Sequence, residues 1–283
     1  MQTVAVIMTC HNRRAKTLGC LEALFDSEPL IDVTLDVFLV DACSKDGTSE
    51  AVKARYPAVN IIAGDANLFW NNGMRVAFAA AMQKGFDYYL WLNDDTILHA
   101  SALPKLLALA IFEARKHHKP AVIVGTTQSE IDGNATYGGL RRFSIWRPLT
   151  YAMVLEAVPA PCDTMNGNCV LIPSVVANIM GNLEHAFVHS MGDIDYGLRV
   201  RQAGFPITVL PGFIGVCAHN SIDNTFMDMR LSLGERWKRI MSPKGLPPKQ
   251  RYVLVRRHAG LIWPLVFVWP YIKLLLGFDR KKD

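Results

Sequence analysis

Leu92-Asn93-Asp94-Asp95-Thr96 follows Phe86-Asp87-Tyr88-Tyr89-Leu90-Trp91, an apolar, aromatic run that reads as a buried strand. Two adjacent carboxylates at the end of such a strand are costly unless a cation meets them. Carboxylate oxygens suit a hard divalent ion, and Mg²⁺ commonly sits between one or two carboxylates and a substrate phosphate. The same residues also read as a polar turn before a helix, with Asp95 or Thr96 as its cap. Asp41 ends a second strand pattern, where it could hold the edge of a flat heterocycle or a ribose hydroxyl, or bond its own turn. Asp193, in Ser190-Met191-Gly192-Asp193-Ile194-Asp195, stands at the start of a helix pattern and can cap it. The dipole and free N–H groups there favour the carboxylate, the state that a general base needs; an ordinary acidic cap has the same pattern. His219, after Gly215-Val216-Cys217-Ala218, could complete a metal site as a neutral imidazole or be a buried, hydrogen-bonded histidine.

These residues need a scaffold that gathers them. Val4-Ala5-Val6-Ile7-Met8 is a continuous apolar run, as in a central parallel strand. Helix patterns follow at 15–25, 49–55, 73–84 and 101–117, and strand patterns at 35–40, 59–63, 86–91 and 121–124. Strands alternating with helices indicate a parallel sheet with crossovers. In open sheets of this kind ligands sit beyond the carboxyl ends of the strands, where the 9–12 turn, Asp41 and Asp94-Asp95 all fall. Residues 133–149, with Gly138-Gly139 and Arg141-Arg142, read as a loop, and 152–158 as an edge strand. A short strand at 169–172, helices from Ser174 and over 193–202, and strands at 206–210 and 214–217 complete the pattern. The turn after the first strand holds no glycine, so a GxGxxG dinucleotide site is disfavoured, and no P-loop occurs.

The 283 residues are 51% hydrophobic and 19% charged, enough for a sizeable core. The six cysteines form no CxxC pair, which leaves a zinc ribbon unsupported; they are scattered as small hydrophobes are in a reducing compartment, and a Cys162–Cys169 bridge stays open. No secretory signal pattern is visible at the start. The net charge of +5 is uneven: 235–258 carries eight Lys/Arg against Glu235, a net +7, leaving the remainder at −2. An apolar stretch follows at 261–278, interrupted by Pro264, Pro270 and Lys273 and closed by Arg280-Lys281-Lys282. It is too short and broken for a spanning helix, and its Trp, Tyr and basic flanks suit an anionic membrane surface. Packing on the chain's own core or against a second subunit are the alternatives. Basicity confined to one end argues against nucleic acid.

Six pieces, in order, resemble the family-two glycosyltransferases, inverting enzymes of the GT-A fold, and among them the rhamnosyltransferase-like branch that builds bacterial surface polysaccharides. They are Val6-Ile7-Met8-Thr9-Cys10-His11-Asn12-Arg13, Val40-Asp41-Ala42-Cys43-Ser44-Lys45-Asp46-Gly47-Thr48, Asn67-Leu68-Phe69-Trp70, Leu92-Asn93-Asp94-Asp95-Thr96, Asn166-Gly167-Asn168-Cys169 and Gly192-Asp193-Ile194-Asp195-Tyr196-Gly197-Leu198-Arg199. The resemblance implies an α/β, Rossmann-like, mostly parallel central sheet flanked by helices over 1–225, with a nucleotide-binding half (1–100), an acceptor half (101–225) and a basic, apolar C-terminal extension (226–283).

It further implies transfer of a sugar from a UDP- or dTDP-linked donor to a hydroxyl of a glycan or lipid-linked acceptor. Thr9, Asn12, Asp41, Asn67, Arg75 and Asp94 would bind the donor, with Thr9 and Asp41 on the base and Asp94 near the ribose. Asp95, with His219 as a second ligand, would bind Mg²⁺ or Mn²⁺; Trp70, Asn166 and Gly167 would line the acceptor side; Asp193 would be the base. The setting implied is cytoplasmic, peripheral on the inner face of the plasma membrane, with a homodimer as a further expectation. Two departures stand out: Asn93 fills the first place of the usual Asp-X-Asp, and Gly192 stands where Glu is common before the catalytic Asp. A non-catalytic nucleotide-sugar or glycan binding protein and a nucleotidyltransferase are the competing readings.

Overall fold

Every side chain from residue 4 to residue 8 is sealed from solvent, which places β1 (Gln2–Cys10) in the middle of a sheet covered on both faces. The structure, a computed structural model, describes residues 1–28 and 31–277. After β1 come α1 (Arg14–Phe25), β2 (Val33–Asp41), α2 (Thr48–Arg55), β3 (Asn60–Ala63), α3 (Phe69–Lys84) and β4 (Tyr88–Leu92). β1 pairs in parallel with β2 on one side and β4 on the other, and β3 extends the edge beyond β2. Successive side chains of a strand point to opposite faces, so β1 feeds two cores. Val4, Val6 and Met8 pack with Leu21 and Leu24 of α1; Ala5 and Ile7 join Met74 and Phe78 of α3 and Trp91 of β4.

The second half adds β5 (Ile97–Leu98), α4 (Ala102–His117), β6 (Val122–Gln128), β7 (Ala135–Tyr137), β8 (Gly139–Ser144), β9 (Arg147–Met153), β10 (Ala160–Pro161), β11 (Thr164–Met165) and β12 (Cys169–Pro173). Then follow α5 (Ser174–Met180), α6 (Gly192–Gln202), β13 (Ile207–Val216), α7 (Leu233–Ile240), α8 (Pro248–His258) and α9 (Trp263–Leu275). Among the described residues the large sheet runs β10-β13-β6-β12-β4-β1-β2-β3, with β5 on β13 and β7 on β6. β12 is antiparallel to β4, so its first residue meets the last of β4: Cys169 pairs with Leu92. The Asn93 N–H donates to the Asn168 carbonyl at 3.1 Å. That reversal brings residues 166–168 beside the acidic pair.

Three expectations change. Residues 133–149 are not a loop but contribute β7 and the hairpin β8–β9, which forms a separate three-stranded sheet with β11. The glycine pair that read as a turn signal serves close packing instead: a Cβ on Gly139 would lie 2.2 Å from Val209 Cγ2, and one on Gly138 would lie 2.7 Å from Thr126 Oγ1. The edge strand ends at Met153, short of Val158. The two final strands are one, β13, with register shifts between Val209 and Gly215; Pro211-Gly212 bulges the strand, Gly212 at φ +73°, without ending it.

The C-terminal helices pack onto this body. Ser232 and Glu235 form a reciprocal capping box that starts α7. Leu254 of α8 clusters with Phe187, Met191 and Leu149 of β9, and Tyr271 and Leu274 of α9 cluster with Ile240 of α7. No helix among the described residues is long and apolar enough to cross a membrane; the closing Arg280-Lys281-Lys282 lies outside those residues. All six cysteines are free thiols, Cys162 and Cys169 included.

Gly139→Ala is expected to cost about 1–3 kcal/mol by overpacking β8 against β13. Urea denaturation should show a lower midpoint at unchanged slope; an unchanged midpoint would mean that the strands part without penalty.

Candidate active site

The ends of β1, β4 and β13, the start of β12 and the start of α6 surround one cleft of about 660 Å³. Thr9, Trp70, Asp94, Asp95, Asn166 and Asp193 all line it, joined by Arg13, Tyr137, His189 and Lys244.

Its floor is the acidic pair. Asp94 is 5% exposed, and the Arg13 guanidinium bridges both acids, donating to Asp94 Oδ1 at 3.0 Å and Asp95 Oδ2 at 2.8 Å. Lys16 Nζ lies 3.7 Å from Asp95 Oδ2. Burial raises the Asp94 carboxyl from 3.8 to about 6; Arg13 opposes that rise and the Asp95 charge adds to it. Asn93 points elsewhere: its Oδ1 accepts the Trp70 indole N–H at 2.7 Å. The first place of the acidic signature thus orients an aromatic ring and adds no charge.

The opposite wall belongs to α6. Met191, in the left-handed region at φ +75°, is the N-cap, and Asp193 sits within the first turn instead of capping it. Asp193 Oδ2 accepts the Gly167 N–H at 3.0 Å and Oδ1 accepts its neighbour Ile194 N–H at 2.8 Å. Burial nevertheless pushes the pKa of its carboxyl upward against these bonds, opposite to the expectation from the helix dipole alone. Gly167 is glycine for a steric reason: a Cβ there would lie 2.5 Å from the Trp70 ring. Gly192 has a similar reason, since a Cβ would meet Asn71 Oδ1 at 1.7 Å. Asn71 is wholly buried and donates to the Phe187 and Glu184 carbonyls. A glutamate before Asp193 has no room in this chain.

Other expected residues lie outside the cleft lining. Asp41 is buried at the end of β2 and accepts the Ser44 N–H at 2.8 Å and the Ser49 hydroxyl. Asn12 is exposed and braces the same loop through the Ser44 hydroxyl and the Lys45 N–H. Asn67 bonds Asp65, and Arg75 Nε donates to the Leu183 carbonyl. His219 is exposed and stacks on Tyr137, centroids 5.5 Å apart at 6°. Among the described residues no group of three or more His, Cys, Asp or Glu is assembled for a metal, and His219 is not among the residues that line the cleft with Asp95. Asp94 and Asp95 alone offer adjacent hard oxygens balanced mainly by one guanidinium, and that donor set fits Mg²⁺ or Mn²⁺ when diphosphate oxygens supply further positions.

Sequence reasoning passed over several lining residues. Arg13 follows the first strand pattern and carries no motif role, although acids at the end of a buried strand need a cation. His189, whose Nδ1 is buried without a partner, is lowered to about 4 by burial, Lys244 and Arg13, and is neutral at pH 7. Lys244 arrives from the C-terminal extension, and no local pattern announces it.

Residues 5–171, well over half of the chain, match the Glycosyl transferase family 2 profile. The chain belongs to glycosyl transferase family 2. It is 23% identical over 198 residues to N-acetylglucosaminyl-diphospho-decaprenol L-rhamnosyltransferase of Mycobacterium tuberculosis, a match spanning 62% of this chain and 64% of that relative. Among solved structures, residues 1–349 of TarS from S. aureus align at a TM-score of 0.56 and 14% identity, covering 100% of this chain and 76% of that one. The mannosyltransferase PcManGT from Pyrobaculum calidifontis, in complex with GDP-Man and Mn²⁺, aligns at 0.57 and 15%, covering 98% and 71%. The fold of this family member is GT-A, an α/β body with a mostly parallel central sheet flanked by helices.

Arg13→Gln leaves the buried Asp94 and the half-buried Asp95 without their shared guanidinium. A fully buried broken pair costs about 3–5 kcal/mol; with the Arg13 side chain 40% exposed, about 1–2 kcal/mol is expected. Asp94 already binds its proton more tightly folded than unfolded, so its contribution to stability is full below about pH 4 and is lost as pH rises through about 6. The Arg13→Gln deficit should therefore be larger at pH 7 than at pH 5 in denaturant titrations; equal deficits would remove the charge-balancing role.

Proposed function

We propose that this glycosyltransferase moves a sugar, with inversion, from a UDP- or dTDP-linked donor to a hydroxyl of a lipid-linked or glycan acceptor in bacterial surface polysaccharide synthesis, at the inner face of the plasma membrane. The observation that carries the reading is that Asp193 lines the same cleft as Asp94 and Asp95 while belonging to a different element. TarS has been solved with UDP and UDP-GlcNAc, and the mycobacterial relative is named for a lipid-linked acceptor.

Thr9 and Asp94 serve the donor half, with Asp41 and Asn12 shaping the adjoining loop. Trp70 supplies an apolar wall beside Asp193, and Asn166 and Gly167 edge the acceptor half. The acceptor hydroxyl gives its proton to the Asp193 carboxylate as its oxygen bonds to the anomeric carbon, and the bond from that carbon to the diphosphate oxygen breaks on the opposite side. The Gly167 and Ile194 N–H groups orient the Asp193 carboxylate and stabilise its charged form. Its upward-shifted pKa makes the carboxylate a stronger base at working pH, which favours proton transfer. Asp94 and Asp95 would hold Mg²⁺ or Mn²⁺, which supplies positive charge to the departing diphosphate when bound.

Asp193→Asn should lower transfer by about 10²–10⁴-fold while thermal stability and UDP affinity stay close to wild type; turnover within tenfold of wild type would reject the base assignment. Asp95→Ala should abolish the gain in nucleotide-sugar affinity that Mn²⁺ confers, measured calorimetrically. If donor affinity in the unmodified chain is identical with and without divalent ion, the metal assignment fails.

A further inference from the structure

The inner and outer faces of α9 differ sharply. Its inner face is committed: Tyr271 and Leu274 are buried against α7, the Tyr271 hydroxyl donates to the Leu246 carbonyl at 2.6 Å, and the Arg251 guanidinium of α8 donates to the Val266 and Phe267 carbonyls. Its outer face is left exposed by the described residues. Leu265 is 70% exposed and Trp269 54%, with Val268 and Ile272 exposed beside them, and Leu261 just before the helix (100%) and Leu276 just after it (61%) continue the row. These positions recur three or four residues apart, the spacing of one helix stripe. A single exposed leucine is ordinary; a contiguous apolar stripe marks an interaction surface.

The charge around the stripe identifies the occupant. Glu235 is the only acid from 235 to 277. Lys238 and Arg239 of α7 and Lys249 and Arg256 of α8 are exposed, and the Arg256 guanidinium lies 5.8 Å from the Trp263 ring centroid at the start of α9. A two-fold dimer through this face would bring these like-charged helices toward each other. An anionic lipid surface complements the cations and accepts the apolar stripe together. The helix, 13 residues long, reaches about 20 Å at 1.5 Å per residue, which suits lying in the headgroup boundary and not crossing it.

We infer that the outer face of α9, flanked by the exposed cations of α7 and α8, docks the enzyme on an anionic bilayer. The surface stands on its own observations; its use rests on the lipid-linked acceptor proposed above. The docking helices are tied to the reacting groups. Arg257 of α8 donates to both Asp195 oxygens, at 2.7 and 2.8 Å, and His258 Nε2 lies 2.8 Å from Asp195 Oδ1, two residues beyond Asp193. Lys244, between α7 and α8, lines the cleft itself. Docking therefore fixes where the cleft opens relative to the lipid.

The test is co-sedimentation of the full chain with vesicles of phosphatidylcholine alone or mixed with phosphatidylglycerol, alongside the change in Trp fluorescence. Wild type should bind the mixed vesicles, bind the neutral ones weakly, and lose affinity with added salt. Leu265→Glu with Trp269→Glu should abolish binding. Lys249→Glu with Arg256→Glu should weaken it at least twenty-five-fold, about fivefold for each cation removed. Circular dichroism and melting curves establish that these surface variants fold. Asp193→Asn, carried in parallel, should bind vesicles as wild type does, so failure of the transfer reading leaves this result standing. Failure of wild type to bind the mixed vesicles overturns the inference. So does undiminished binding by Leu265→Glu/Trp269→Glu, or a lipid-free dimer that the same variant splits, which would assign the face to a second copy.

Discussion

The cleft depends on keeping two neighbouring carboxylates at the end of a buried strand. Trp91 and Leu92 are sealed from water, so the chain cannot swing Asp94 and Asp95 into solvent without pulling β4 out of the core. Their charge must be met in place, and Arg13, just past the end of β1, meets both acids with one nitrogen. Strand pairing between β1 and β4 is thus also the register of an electrostatic contact. The acids hold the guanidinium, and the guanidinium keeps the acids ionisable. The remaining imbalance is visible in the raised pKa of Asp94, which further positive charge would lower.

A second buried charge cluster does comparable work on the other wall. Asp195 is wholly buried. Burial alone would raise its pKa, but His258, Arg199 and Arg257 more than compensate, and the net shift is downward. Because Arg257 and His258 belong to α8 while Arg199 belongs to α6, the cluster ties the C-terminal helices to the helix that presents Asp193. Arg257 reaches Glu184 as well, drawing in the segment that leads to α6. A fully partnered network of this kind rigidifies its surroundings, and Asp193 inherits that rigidity.

Much of this was legible in the chain itself. The run at residues 4–8, the aromatic strand before Asp94 and the alternation of strand and helix patterns are consequences of burial on two faces, and burial leaves a periodic trace. The acids at strand ends were legible for the same reason. What stayed hidden depends on contacts between distant segments. Gly138-Gly139 looked like a turn because glycine has two uses, and only the proximity of Thr126 and Val209 selects close packing. The stacking of His219 on Tyr137 and the bond from the Arg75 guanidinium to the Leu183 carbonyl join segments far apart in the chain, and no local pattern announces either. Lys244 enters the cleft from a helical extension with no motif of its own.

The indole of Trp70 has a further consequence. Gly167 leaves its ring room beside Asp193, and Asn93 holds its nitrogen from next to the acidic pair. In the proposed transfer, the part of the cavity that would receive the alcohol and the part that would hold the leaving group thus share one mechanical joint. Displacing Asn93 would tilt the ring and reshape the space beside Asp193. Under that proposal such a linkage favours ordered binding, with the activated sugar seated before its co-substrate, and it discourages water from taking the nucleophile's place in a half-filled cleft.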